Sequence, residues 1–195
     1  MKELFIKRFQ TYKKSGDDTF AQLSDEDFFW QYNSESNSVA VIVKHMAGNM
    51  LSRWTNFLTE DGEKQWRKRD EEFINDFTNK TEVIAFWEKG WRCLFDALEQ
   101  INDENIRSTI YIRGEAHSVL DAVLRQLAHY ASHVGQIIYI AKMRKKNDWR
   151  TLSIPRNQSE DFNRDMLTKH HENEQENTSP VCYAQSKDIR DDYKD

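Results

Sequence analysis

A chain of 195 residues is one domain's worth and can close a core without disulfide staples. Only two prolines and six glycines, beside 31% charged and 38% apolar residues, argue against an all-β chain and for amphipathic helices with solvated outer faces. The formal net charge is −5 with acids and bases interleaved, so no basic stripe serves nucleic acid, and no apolar run approaches the roughly 20 residues that span a bilayer.

The opening MKELFIKRFQ is too charged for the apolar core of a signal peptide, and Cys93 and Cys182 lie too far apart to read as a disulfide framework. A cytoplasmic location is therefore expected. Phe5, Phe9, Tyr12, Phe20 and Leu23 recur at helical spacing and predict a first helix over residues 2–23. Ser24 and Asp27 form a capping pattern for a short turn through Trp30. Ser38 caps a second helix reaching about Leu58.

Residues 59–80 are crowded with charge and read as a long crossover, pinned to the bundle by Trp66 and Phe73. Thr81 caps a third helix, in which Ile84, Trp87, Trp91, Leu94, Leu98 and Ile101 make a heptad-like seam. Alternation around Tyr111 before Arg113-Gly114 predicts a small hairpin. Ser118 then caps a fourth helix to about Lys142. The chain divides into a bundle over 1–163 and a polar tail over 164–195 with few anchors.

The fourth helix carries the most information. Leu120, Leu124, Leu127, Ala131, Val134, Ile138 and Ala141 fall on one stripe, with His129 and His133 roughly opposite. Between Gln126 and Ala141 there is no Lys, Arg, Asp or Glu. A helix free of charge all round is normally covered all round, so a second copy of the chain is the expected outer cover. The pattern leaves open which stripe faces inward; the histidines are assigned to the interior.

Histidines four apart project from one helical face, and both rings can reach one ion. Leaving two imidazoles unpaired in an uncharged setting is costly, and a shared metal satisfies both. His45 on the second helix supplies a third ligand, on a stripe with Val41, Gly48, Asn49, Ser52 and Asn56. Those small residues either leave room for a ligand or let two helices approach closely. Three neutral imidazoles with an open position suit Zn²⁺ or Ni²⁺, with Fe²⁺ and Mn²⁺ as further options. His117, His170 and His171 rank below these three, and Cys93 reads as core.

The segments VKHMAGNMLSRWTNFLTEDGE, YIRGEAHSVLDAVLRQLAHYASHVGQIIYIAK and LSIPRNQS resemble the DinB-like (YfiT-like) metal-dependent four-helix-bundle superfamily, most of all its Bacillus-type branch. The likeness covers about residues 1–163. It implies an up-up-down-down left-handed bundle, nickel or zinc on His45, His129 and His133, and a homodimer. It also implies thiol-dependent S-transferase or isomerase chemistry with a low-molecular-weight thiol such as bacillithiol or mycothiol, held as a thiolate and presented to an electrophile. Some relatives place a carboxylate among the ligands; an all-histidine site here stays more positive and favours an anionic ligand.

The functional expectation is a metal- and thiol-dependent enzyme acting on small electrophiles. Asn49, Gln126 and Gln136 are candidates to orient the substrate or a metal-bound water, and Arg125 and Arg156 to bind a carboxylate of the thiol, unless they are plain surface charges. The alternative is a non-catalytic metal-binding stress-response or interaction protein whose site aromatics enclose. A hydrolase lacks an evident Asp or Glu base.

Overall fold

The computed structural model describes residues 1–177. Its helices are α1 (Lys2–Phe20), α2 (Asp25–Phe29), α3 (Val39–Trp54), α4 (Lys80–Glu99), α5 (Val119–Lys145) and α6 (Ser159–Asn177). The two strands, β1 (Thr109–Ile112) and β2 (Glu115–Ser118), pair antiparallel. The protein is all-α apart from that hairpin, and α1, α3, α4 and α5 form the expected four-helix bundle. Among the described residues, no helix is long and apolar enough to cross a membrane.

Local chemistry sets most boundaries. Ser24 and Asp27 close a reciprocal capping box on α2, and Ser38 and Ser118 cap α3 and α5 through the backbone N–H groups of Val41 and Asp121. The third long helix begins at Lys80, because Asn79, and not Thr81, accepts from the Glu82 N–H. The hairpin turns on Arg113 and Gly114, both at positive φ (58° and 75°), a two-residue turn matched to strand twist.

Helix directions correct the up-up-down-down expectation. Lys2 pairs with Glu99 and Lys13 with Glu88, so α1 and α4 are antiparallel. A Cβ on Gly90 would meet Ala47, and Cys93 reaches the Met50 carbonyl, so α3 and α4 run parallel. His45 lies by His133 while Trp54 bonds Tyr130, making α3 and α5 antiparallel. The order is therefore up-down-down-up. The short links around α2 and the hairpin each reverse the chain, and the long crossover carries it back the length of the bundle.

The core is aromatic at its centre. Phe9, Trp91 and Tyr130 meet at centroid distances of 6.0–6.3 Å, with Trp87 and Phe20 continuing the cluster. The expected seam of the third helix is buried at Trp87, Trp91, Leu94, Leu98 and Ile101. The buried face of α5, however, is Val119, Ala122, Val123, Gln126, Tyr130, Val134, Ile137 and Ala141. It is rotated from the expected leucine stripe, and Leu124 is 50% exposed.

Trp66 does not pin the crossover, being 59% exposed. Phe73, stacked on His45 at 5.0 Å, does pin it, together with polar groups. Lys44 donates to the carbonyls of Glu71 and Ile74 and pairs with Asp76. Ser52 donates to the Gly62 carbonyl and accepts from the Lys64 N–H.

The chain divides into two compact units, with the bundle ending at Leu152 and the second beginning at Ser153. Taken by itself, the second unit is an irregular stretch leading into α6, where Arg164 pairs with Asp161. Helix thus continues into the segment expected to be a polar tail. Residues 178–195, with Cys182 among them, lie outside the described residues.

Candidate metal centre

Three helical histidines meet between α3 and α5. His129 Nε2 lies 3.4 Å from His45 Nε2 and 3.0 Å from His133 Nε2, and the ligand atoms all fall within 4.8 Å of one another. His45 is buried, while His129 and His133 are half-buried. The rings lie near-perpendicular to one another, at 72–83°.

The opposite nitrogen of each ring faces an oxygen. His45 Nδ1 is 2.9 Å from Glu72 Oε2, His129 Nδ1 is 3.3 Å from Gln126 Oε1, and His133 Nδ1 is 2.8 Å from Gln136 Oε1. A carboxylate and two amide oxygens accept hydrogen bonds, so each ring carries its proton on Nδ1. The three Nε2 lone pairs then face one another with no proton between them. A cation resolves that convergence, and oxygen acceptors behind ligating imidazoles are the usual support of a histidine–metal site. The three residues can hold a metal ion.

Electrostatics point the same way. Burial, followed by the neighbouring His133 and His45, pushes the His129 pKa down to about 3. Burial also lowers that of His133, against the bond to Gln136. Both rings are neutral near pH 7, the state a metal requires of them.

Glu72 is the site residue that sequence reasoning missed. It arrives on a 3-10 turn, Arg69–Phe73, inside the crossover. Arg67 holds it from behind, Nε to Oε1 at 2.7 Å and Nη2 to Oε2 at 2.9 Å, and also reaches Glu63 at 3.1 Å. The next residue, Phe73, stacks on His45 at 5.0 Å. Gly48 makes room for this arrangement, since a Cβ there would sit 2.5 Å from Glu72 Oε1. Gly48 and Ser52 thus receive the crossover chain, an occupant neither sequence reading named.

The remaining candidates separate cleanly. Gln126 is buried and Gln136 exposed, and each orients a histidine. Asn49 is buried and accepts from the Tyr130 hydroxyl at 2.9 Å, which itself accepts from Trp54 Nε1 at 3.2 Å; its oxygen is engaged in the core. Arg125 is exposed on α5, and Arg156 is exposed within the second unit. His117 sits at the end of β2, paired with Asp121 at 2.6 Å.

A groove of about 620 Å³ opens beside Gln136, between α5 and the segment leading into α3. Trp30, Tyr32, Ile42, Gln136, Tyr139 and Met143 are among its walls, and none of its walls is Asp, Glu, Lys, Arg or His.

A family model described as "Protein of unknown function (DUF1572)" matches residues 2–158, the whole bundle with all three histidines. No curated protein and no solved structure matches the chain.

Proposed function

Because the chain belongs to the DUF1572 family, whose model spans the histidine site, we propose that it is a metal-dependent enzyme of the DinB-like (YfiT-like) superfamily, in its Bacillus-type branch. His45, His129 and His133 hold one divalent metal, Zn²⁺ or Ni²⁺. The reaction is transfer of a low-molecular-weight thiol, bacillithiol or a close analogue, onto a small electrophile in the cytoplasm. The observation that carries this reading is the convergence of three Nε2 atoms with every Nδ1 held by an oxygen acceptor.

When bound, the metal supplies Lewis acidity that lowers a thiol's pKa and favours the nucleophilic thiolate. The chain's own residues do the rest. Glu72, Gln126 and Gln136 keep the ring protons on Nδ1 and fix ring orientation. Phe73 covers one face of His45 and excludes water from it. The half-buried sides of His129 and His133 leave an approach for ligands, unlike a structural site closed by protein. The uncharged groove at Gln136 suits a neutral, partly aromatic electrophile.

The test is metal content of untagged protein, wild type against His129→Ala, followed by bacillithiol titration of the cobalt-substituted form. About one equivalent in wild type, little in the variant, and a thiol-induced shift in the cobalt spectrum are expected. Metal without any spectral response to thiol would leave a non-catalytic metal-binding protein. Wild type that takes up neither Zn²⁺ nor Ni²⁺ would remove the site.

A further inference from the structure

Ser132, Gly135, Gln136, Tyr139, Ile140 and Met143 recur at helical spacing and make one wall of the groove from a single face of α5. Trp30, Tyr32 and the chain leading into α3 make the other. That second wall is held by its own bonds. Gln31 Nε2 donates to the Ser36 carbonyl at 3.0 Å, and Asn33 Oδ1 accepts from the Glu35 N–H at 3.1 Å and the Ser36 hydroxyl at 2.8 Å. Trp30 is fixed by the Arg144 guanidinium, 5.4 Å from its ring centroid, and by Tyr32, edge-on at 6.4 Å.

The groove's chemistry restricts what fits it. Tyr32 and Tyr139 are 70% and 67% exposed, so large aromatic surfaces meet water around one cavity. Its volume of about 620 Å³ lies within the range of small-molecule pockets. With no Asp, Glu, Lys, Arg or His in its walls, a charged occupant would lose hydration and gain no counter-charge. Lys145 and Lys146 wall a neighbouring cavity that shares Trp30, Tyr32 and Met143.

Both helices that carry the metal-site histidines also wall the groove, through Ser132 beside His133 and Ile42 three residues before His45. Gln136 belongs to both places. Its Oε1 accepts from His133 Nδ1 at 2.8 Å, which commits the oxygen and leaves the amide N–H donors for a ligand.

We propose that the groove binds an uncharged aromatic carbonyl compound, with its ring on the aromatic walls and its oxygen accepting from Gln136 Nε2. The amide that orients His133 thereby also selects for an acceptor on the ligand. That this occupant is the electrophile rests on the reading above; its chemical class rests on the groove.

The experiment uses the full chain as wild type, Gly135→Leu and Gln136→Leu, each with and without Zn²⁺. A Cβ at Gly135 meets no atom within 4 Å, so a leucine there enters the groove without straining the helix. Three probes are compared by equilibrium dialysis: methyl naphthyl ketone, naphthoate, and isopropenylnaphthalene, in which CH₂ replaces the carbonyl oxygen.

The ketone is expected to bind wild type, and to bind Gly135→Leu about tenfold more weakly because the side chain takes its space. Isopropenylnaphthalene should bind wild type about fivefold more weakly than the ketone, the worth of one neutral hydrogen bond. That gap should close in Gln136→Leu; a merely structural glutamine would weaken both probes alike. Equal ketone affinity in wild type and Gly135→Leu, or no ketone binding, would overturn the groove as the site. A ketone preference that survives Gln136→Leu would overturn the role of the amide, and naphthoate binding tighter than the ketone would overturn the uncharged class. The expected pattern in protein that takes up no Zn²⁺ would uphold the groove while the metal reading fails. Zn²⁺ uptake with no ketone binding would leave the metal reading and overturn this one.

Discussion

The Glu72 carboxylate stands 2.9 Å from His45 Nδ1 across 27 residues of chain, and Arg67 grips both of its oxygens from the other side. Burial raises its pKa, but the bonds from His45 and Arg67 outweigh that and hold it below the usual carboxylate range. Glu72 is therefore ionised near pH 7 and pulls on the His45 ring proton, making Nε2 a better donor to a metal. Glu72→Gln should weaken Zn²⁺ about 10- to 100-fold while leaving the helical circular dichroism intact. Gly48→Ala should move affinity the same way, because its Cβ would lie 2.5 Å from Glu72 Oε1. A competition titration with a chromophoric chelator reads both, and unchanged affinity in Glu72→Gln would detach the crossover from the site.

The buried chain from Trp54 through Tyr130 to Asn49 runs alongside the histidines, yet belongs to the core. Tyr130→Phe leaves Trp54 Nε1 and Asn49 Oδ1 without partners at almost unchanged volume. Stability should fall by about 1–3 kcal/mol in urea denaturation. Zn²⁺ affinity should stay within about twofold of wild type, because no ligand or supporting acceptor is touched. A tenfold loss of affinity would instead join Asn49 and Tyr130 to the metal centre.

The histidine triad was legible because its signals are local. Four-residue spacing places two rings on one face, and an uncharged run of helix marks that face as unusual. Glu72 carried no such mark. It is one acid among many in the charged crossover, and only the path of the chain over Gly48 brings it to His45. The phase of α5 failed for a related reason: with apolar residues on nearly every side, several rotations satisfy the pattern equally. Helix directions also escaped periodicity, since they depend on which links reverse the chain.

The side of α5 at Leu124, Ala128, Gly135 and Tyr139 is exposed, and its last two residues also wall the groove at Gln136. Gly135 has no atom within 4 Å of where a Cβ would lie, so close helix approach is open there. An uncharged helix face of this kind fits a two-fold partner presenting the same residues. Leu124→Glu and Ala128→Glu, both outside the groove at Gln136, should convert a dimer to a monomer in sedimentation without lowering Zn²⁺ content. Wild type that sediments as a monomer at about 100 μM would withdraw the homodimer.

Arg144, near the end of α5, fastens α2 to the bundle, its Nε 2.7 Å from Asp27 Oδ1 and its Nη2 3.1 Å from Glu26. Burial raises the Asp27 pKa, but the Arg144 bond and the Ser24 capping bonds carry it below its ordinary 3.8. A carboxyl depressed on folding contributes stability that is fully present above its unfolded pKa and is lost as pH falls through the folded value. The contribution is therefore intact at pH 7 and disappears only below about pH 4. Asp27→Asn should cost about 1–3 kcal/mol at pH 7, combining a charge-assisted bond with part of the helix cap. The difference from wild type should shrink as pH drops below about 4, because Asp27 then begins to take up a proton and approaches the neutral state that Asn carries. Urea denaturation of the two proteins at pH 7, 4 and 2.5 checks this. A gap that stays constant across the series would show that packing around Asp27, and not its charge, holds α2 in place.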